Sequence, residues 1–302
     1  MKRLLSLALA LVLILALAGC GVGTATPTQP ETTPAPSSEP TTEPSESTSS
    51  AVTSEPVQTG LFAEQIFSGA DGDIHYSYYL PESYDWEPEK RYPVMYMFDG
   101  HNVFFDEDAT FAKSWGMNKY MEENKKELII VAVECNHDGN QRIIEYSPLS
   151  YENSSLGKIR GKGNVYMNWM VKELKPFIDE NYRTLPDRCN TIIAGSSMGG
   201  LMALYAVTTF NQVFQRAACL SPSLWVAPGK MLEMIARAHI RRDTCIYLDY
   251  GEKEMFNHAA NAEALFSTSH LLMTKRVNLT FRIVPDGTHC EASWEKQLPF
   301  VF

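Results

Sequence analysis

The chain has 302 residues, 44% of them hydrophobic and 21% charged, with a formal net charge of −10. So acidic a balance excludes nucleic acid as an expected partner, because phosphate recognition rests on a cationic face. The six cysteines are spread without a C-x-x-C pair, which argues against a zinc site or a disulfide framework, and no metal is expected.

In chain order, Lys2-Arg3 comes first, followed by an apolar run from Leu4 to Ala18. A short basic segment before an apolar core of that length reads as a secretory signal peptide over residues 1–19. The sequence Leu17-Ala18-Gly19-Cys20 is similar to a lipobox, so Cys20 is the expected lipidation site. An exported lipoprotein on the outer face of a membrane follows, with the lipidated N-terminus as its membrane contact. Residues 20–59 change composition abruptly to Ser, Thr, Pro and Glu. Nothing there buries enough apolar surface to offset chain ordering, and Pro27, Pro30, Pro34, Pro36, Pro40, Pro44 and Pro56 favour an extended, disordered tether.

Residues 60–302 suit one domain. Ile74, Tyr76, Tyr78 and Leu80 alternate with His75, Ser77 and Tyr79, as in a half-buried strand. "YPVMYMFDG" and "ELIIVAVEC" are apolar throughout, as strands covered on both faces are. The run from Phe111 to Lys126 reads as a helix between them, and "VYMNWMVKELKPFIDENY" as another. "NTIIAGSS", "RAACLS", "TCIYLDYG" and "NLTFRIVPDG" are further strands, separated by helix-like runs at 229–240 and 254–275, and a last helix follows His289. Alternating strands and helices predict an α/β fold: a mostly parallel central sheet, antiparallel strands first, helices on both faces. Residues 136–164 break the rhythm, and connections of that length are more often functional than idle.

The pentapeptide Gly195-Ser196-Ser197-Met198-Gly199 sits where a strand turns into a helix. This is the pattern of a nucleophile elbow: a sharp turn exposes a serine, strains its backbone, and leaves room only for tiny residues two before and two after. Ser197 holds the nucleophile position. Glu254, three residues past the strand end Tyr250-Gly251, is the candidate acid; Asp249, inside that strand, competes with it. His289, delivered by the Asp286-Gly287-Thr288 turn after the final strand, is the candidate base. His239, His258 and His270 fall in helix-like runs instead. The chain order Ser197, Glu254, His289 is that of the α/β-hydrolases. Trp115, Trp225 and Tyr146 are candidates to line a substrate cleft. Arg142 either contacts substrate or pairs with Glu145 to order the long loop.

"YPVMYMFDGHNVFF", "ELKPFIDENYRT", "AGSSMGGLMALY", "LSPSLW", "YGEKE" and "GTHCEASWEKQLP" together resemble the esterase family of α/β-hydrolases, across the whole domain. Its relatives include feruloyl and acetylxylan esterases, enterochelin-type siderophore esterases and mycolyltransferases. The resemblance implies a Ser197–His289–Glu254 triad, although some of these relatives carry Asp at the acid position or manage with Ser and His. It also implies an oxyanion hole from the N–H of Met198 and that of His101, with Asn102 as the alternative. The expected activity is cofactor-free hydrolysis of a small-molecule or glycan-linked ester, feruloyl or acetyl, through an acyl-enzyme. A siderophore esterase is the alternative, and a non-catalytic surface glycan-binding module the alternative of another class.

Overall fold

The computed structural model describes residues 63–69, 72–154, 156–254 and 258–302. The signal segment, Cys20 and the tether lie outside the described residues. One sheet of eight strands organises the domain, in the order β1-β2-β4-β3-β7-β8-β9-β10. These are β1 (Ala63–Gly69), β2 (Gly72–Tyr79), β3 (Val94–Phe98), β4 (Ile129–Val133), β7 (Thr191–Ser196), β8 (Arg216–Leu220), β9 (Cys245–Gly251) and β10 (Asn278–Val284). β1 and β2 pair antiparallel, as do β2 and β4; every pair from β4 to β10 is parallel. The order of strand types expected from the sequence is thus observed, with β1 the one strand of this sheet not anticipated.

β3 and β4 are buried along their whole length, which is why their sequences show no alternation. The helix Ser197–Thr209 is buried from Met198 to Thr208. A helix apolar all round belongs inside the domain, and its small residues let it lie close to β7 and β8. The helical segment Gly163–Asn181 passes through a π-helical turn at Met170–Leu174. Pro176 accounts for that turn: it has no N–H and its ring crowds the carbonyl one turn back, so the ladder widens there.

Two expectations need correction. The helix over Phe111–Lys126 is confined to Met117–Glu123. Before it, Ala112 and Gly116 take left-handed backbone (φ 51° and 59°), and Asp106 accepts hydrogen bonds from the Ser114 N–H and hydroxyl, both 2.8 Å, winding the segment into a loop. The long connection at 136–164 is not featureless. It holds a helical turn, Gln141–Glu145, and a two-stranded hairpin, β5 (Tyr151–Asn153) with β6 (Gly157–Ile159).

Candidate active site

Because six adjacent strands run parallel, the loops that follow them all emerge at one edge of the sheet, where open α/β sheets bind ligands. Ser197 follows β7, Ser221 follows β8, Glu254 follows β9, His289 follows β10, and the His101 turn follows β3. Strain gathers at the same edge: Asp99, Ser197, Ser221 and Asp286 all have positive φ, at 58°, 56°, 42° and 56°. Each such non-glycine residue costs on the order of 1–3 kcal/mol, sustained by the packing around it.

The elbow glycines have a measurable reason. A Cβ on Gly195 would lie 2.6 Å from the Gly199 carbonyl carbon, and one on Gly199 would lie 2.9 Å from Phe98 Cβ. The second contact also seats the nucleophile turn against the end of β3. Only with both positions bare can the chain reverse tightly enough to lift Ser197 from the sheet, where its side chain is half-buried.

The structure brings Ser197, His289 and Glu254 together. The Ser197 hydroxyl lies 2.9 Å from His289 Nε2, and His289 Nδ1 lies 3.0 Å from Glu254 Oε2. Glu254 Oε1 accepts the Gly251 N–H at 2.9 Å, which orients the carboxylate. Burial by itself would raise this carboxyl, but hydrogen bonds from His289 and Ser221 outweigh it and hold Glu254 below the ordinary glutamate range. The loops carrying Glu254 and His289 meet through two glycines: a Cβ on Gly251 would lie 2.5 Å from the Gly287 carbonyl oxygen.

Asp249 has a different place. It is fully buried and accepts the Ser221 N–H and the Tyr247 hydroxyl, both at 2.9 Å. Burial pushes its carboxyl up to about 7. It fixes the left-handed Ser221 turn, whose hydroxyl accepts the Trp294 indole N–H at 3.0 Å. Trp294 in turn meets His289 edge-on, with ring centroids 5.1 Å apart. Asp249 is therefore a strut beneath the site, and the competition with Glu254 resolves by reach.

At the oxyanion side, Met198 stands in the first turn of its helix, where backbone N–H groups lack an intrahelical acceptor. The Asn102 N–H is already bound to the Asp99 carbonyl at 2.9 Å, which counts against the alternative donor from that turn.

Trp115 and Tyr146 do not line a cleft: they are 3% and 0% exposed. Trp115 packs on Trp294, centroids 6.2 Å apart, behind His289. The Tyr146 hydroxyl accepts the Asp99 N–H at 3.1 Å. Arg142 pairs not with Glu145 but with Asp99, in a two-pronged bond of 2.6 and 2.8 Å, while Glu145 accepts the Asn136 N–H. Tyr146 and Arg142 thus brace the turn that carries His101. Trp225 is 38% exposed and edge-on to Tyr151 at 6.2 Å.

A cleft of about 1090 Å³ opens beside the His101 turn, with Ile74, Phe105, Val165 and Trp169 on its apolar side. The sequence marks none of these four as a cleft residue. Ser223, 3.4 Å from the Ser197 hydroxyl, was also missed as a site residue, though it lies in the quoted "LSPSLW".

A mostly parallel sheet with these three side chains on the rim loops after β7, β9 and β10 defines an α/β-hydrolase. The Esterase family model, described as "Putative esterase", matches residues 68–300. The chain belongs to this esterase family of carboxylic ester hydrolases. "Uncharacterized protein YbbA" of Bacillus subtilis is 24% identical over 159 residues, 51% of this chain, and the match spans 58% of that relative's length. Among solved structures, an IroE-like serine hydrolase from Shewanella oneidensis superposes with TM-score 0.62 and 20% identity, covering 78% of this chain and 77% of that one. A ferulic acid esterase superposes with TM-score 0.60 and 19% identity, covering 80% and 97%. These likenesses establish a shared fold.

Proposed function

We propose that the protein is a serine esterase in which Ser197 attacks an ester carbonyl, His289 takes its proton, and Glu254 holds the imidazole. The observation that carries this reading is the imidazole of His289 bridging Ser197 and Glu254 at 2.9 and 3.0 Å. Attack yields a tetrahedral oxyanion received by the N–H groups of Met198 and His101; its collapse expels the alcohol, which takes the proton from His289. Water, deprotonated by the same imidazole, then frees the acyl group.

The substrate we favour is a carbohydrate-linked feruloyl or acetyl ester. Support comes from the apolar side of the cleft beside the His101 turn, which suits an aromatic acyl group, and from the half-exposed Trp225, which suits a sugar face. A siderophore ester is the second reading; a solved structure titled "Siderophore hydrolase EstA" from Aspergillus nidulans shares the fold, with TM-score 0.60. The sequence of residues 1–59 supports a place on the outer face of a membrane, tethered through lipidated Cys20.

Ser197→Ala is expected to lower p-nitrophenyl acetate turnover by about 10⁶-fold. Undiminished turnover rejects the mechanism. Methyl ferulate and acetylated xylan, set against a catechol triester, separate the two substrates.

A further inference from the structure

The loops after β3 and β4 meet because those strands are parallel neighbours, and they bring together side chains that the mechanism above does not use. His101, Cys135 and His137 each present a ligand atom within 4.8 Å of the others. Glu134 adjoins the two histidines: its Oε2 is 2.7 Å from His101 Nδ1 and 3.1 Å from His137 Nε2. Two imidazoles, a thiol and a carboxylate are the donor set that selects zinc and its borderline-soft neighbours over magnesium or calcium.

We propose that His101, Glu134, Cys135 and His137 form a binding site for a zinc-class divalent cation at the mouth of the cleft. Tetrahedral ligands with bonds of about 2.0–2.1 Å sit about 3.3 Å from one another. The carboxylate–imidazole separations of 2.7 and 3.1 Å are slightly shorter than that edge, so modest outward shifts admit the ion. Coordination by the thiol releases one proton to solvent.

The outer contacts fit as well. His101 Nε2 lies 3.0 Å from the Thr110 hydroxyl, which supplies the second-ring-nitrogen partner that orients a metal-bound imidazole. The bare Gly100 leaves room for Glu134, whose other oxygen lies 2.9 Å from where a Cβ would stand. The rings of His101 and His137 meet edge to face, centroids 4.6 Å apart. The His137 side chain is 59% exposed, which gives the ion an entry path, while Cys135 is buried at the inner end. Cysteine spacing gave no sign of this, because the histidine on the far side comes from another strand. The ion would tie the β3 and β4 loops together through the ring of the residue whose N–H we assign to the oxyanion.

Titrating the full chain with Co²⁺ tests the site without reference to esterase activity. The expected result is one equivalent bound, with a near-ultraviolet thiolate-to-cobalt band that Zn²⁺ abolishes by displacement. Cys135→Ser is expected to lose the band. His137→Ala, a change at an exposed side chain that leaves the fold intact, is expected to weaken Zn²⁺ binding at least about 10-fold. Absence of the band in the wild-type chain, or equal Zn²⁺ affinity in wild type and His137→Ala, overturns the proposal.

Discussion

Two halves of one sheet edge are built on different principles. The half after β7, β9 and β10 holds Ser197, Glu254 and His289 on short turns, with glycines at each close approach. The half after β3 and β4 is held by charge and aromatic contacts: Asp99 against Arg142, Tyr146 beneath Asp99, Glu134 between two histidines. In the mechanism we propose, the first half fixes the reacting atoms directly. The second fixes a backbone amide through layers of side chains, so its failures should be graded where those of the first are abrupt.

The largest effect that sharpens this contrast comes from Glu254→Gln. The amide cannot hold His289 as the anion does, and kcat should fall by about 10³-fold with KM little changed, measured by steady-state hydrolysis. A loss under about 10-fold would place this chain with the esterases that work by Ser and His alone.

Arg142→Ala comes next. It leaves the Asp99 carboxylate, itself nearly buried, without its cation, and should cost about 2–3 kcal/mol of stability in urea denaturation. The Arg142 side chain is about one-third exposed, which places the value below the ~3–5 kcal/mol of fully buried pairs. Because the His101 turn loses its brace, activity should decline gradually rather than vanish. An abrupt loss equal to that of Glu254→Gln would break the comparison.

The smallest effect is on pH-dependent stability. The Asp249 carboxyl sits near 7 in the folded chain, above its value in the unfolded chain, because burial disfavours the anion. The folded state therefore binds the extra proton between the unfolded value and about 7, and stability falls as pH rises through that window. Asp249→Asn mimics the neutral acid and should remove this slope, raising Tm at pH 7 by about 2–4 °C relative to wild type while leaving Tm at pH 4 nearly equal. Parallel Tm profiles from pH 4 to 7 would show that Asp249 keeps an ordinary carboxyl.

The contrast also explains how far the sequence could be read. Gly195, Ser197, Gly199 and the turn before His289 are local patterns, because a tight reversal leaves room for few residue types, and chain order then narrows the acid to Asp249 or Glu254. The places of the strands along the chain followed from alternation and continuous apolar runs. What escaped depends on partners distant in the chain. Tyr146 is an aromatic in a long loop until Asp99 is seen 47 positions away donating to it. Trp115 reads as a cleft residue until Trp294 covers it. The helix beginning at Phe111 fails because Asp106 captures Ser114, a contact that helical periodicity does not register.

Labelling of the intact protein by a fluorophosphonate, with the adduct mapped by peptide mass spectrometry, tests the central assignment most directly. The account predicts a single stoichiometric adduct on the Ser197 hydroxyl, abolished when His289 is replaced by alanine. Ester hydrolysis that persists in a chain fully resistant to the reagent, or an adduct on another serine, would contradict it.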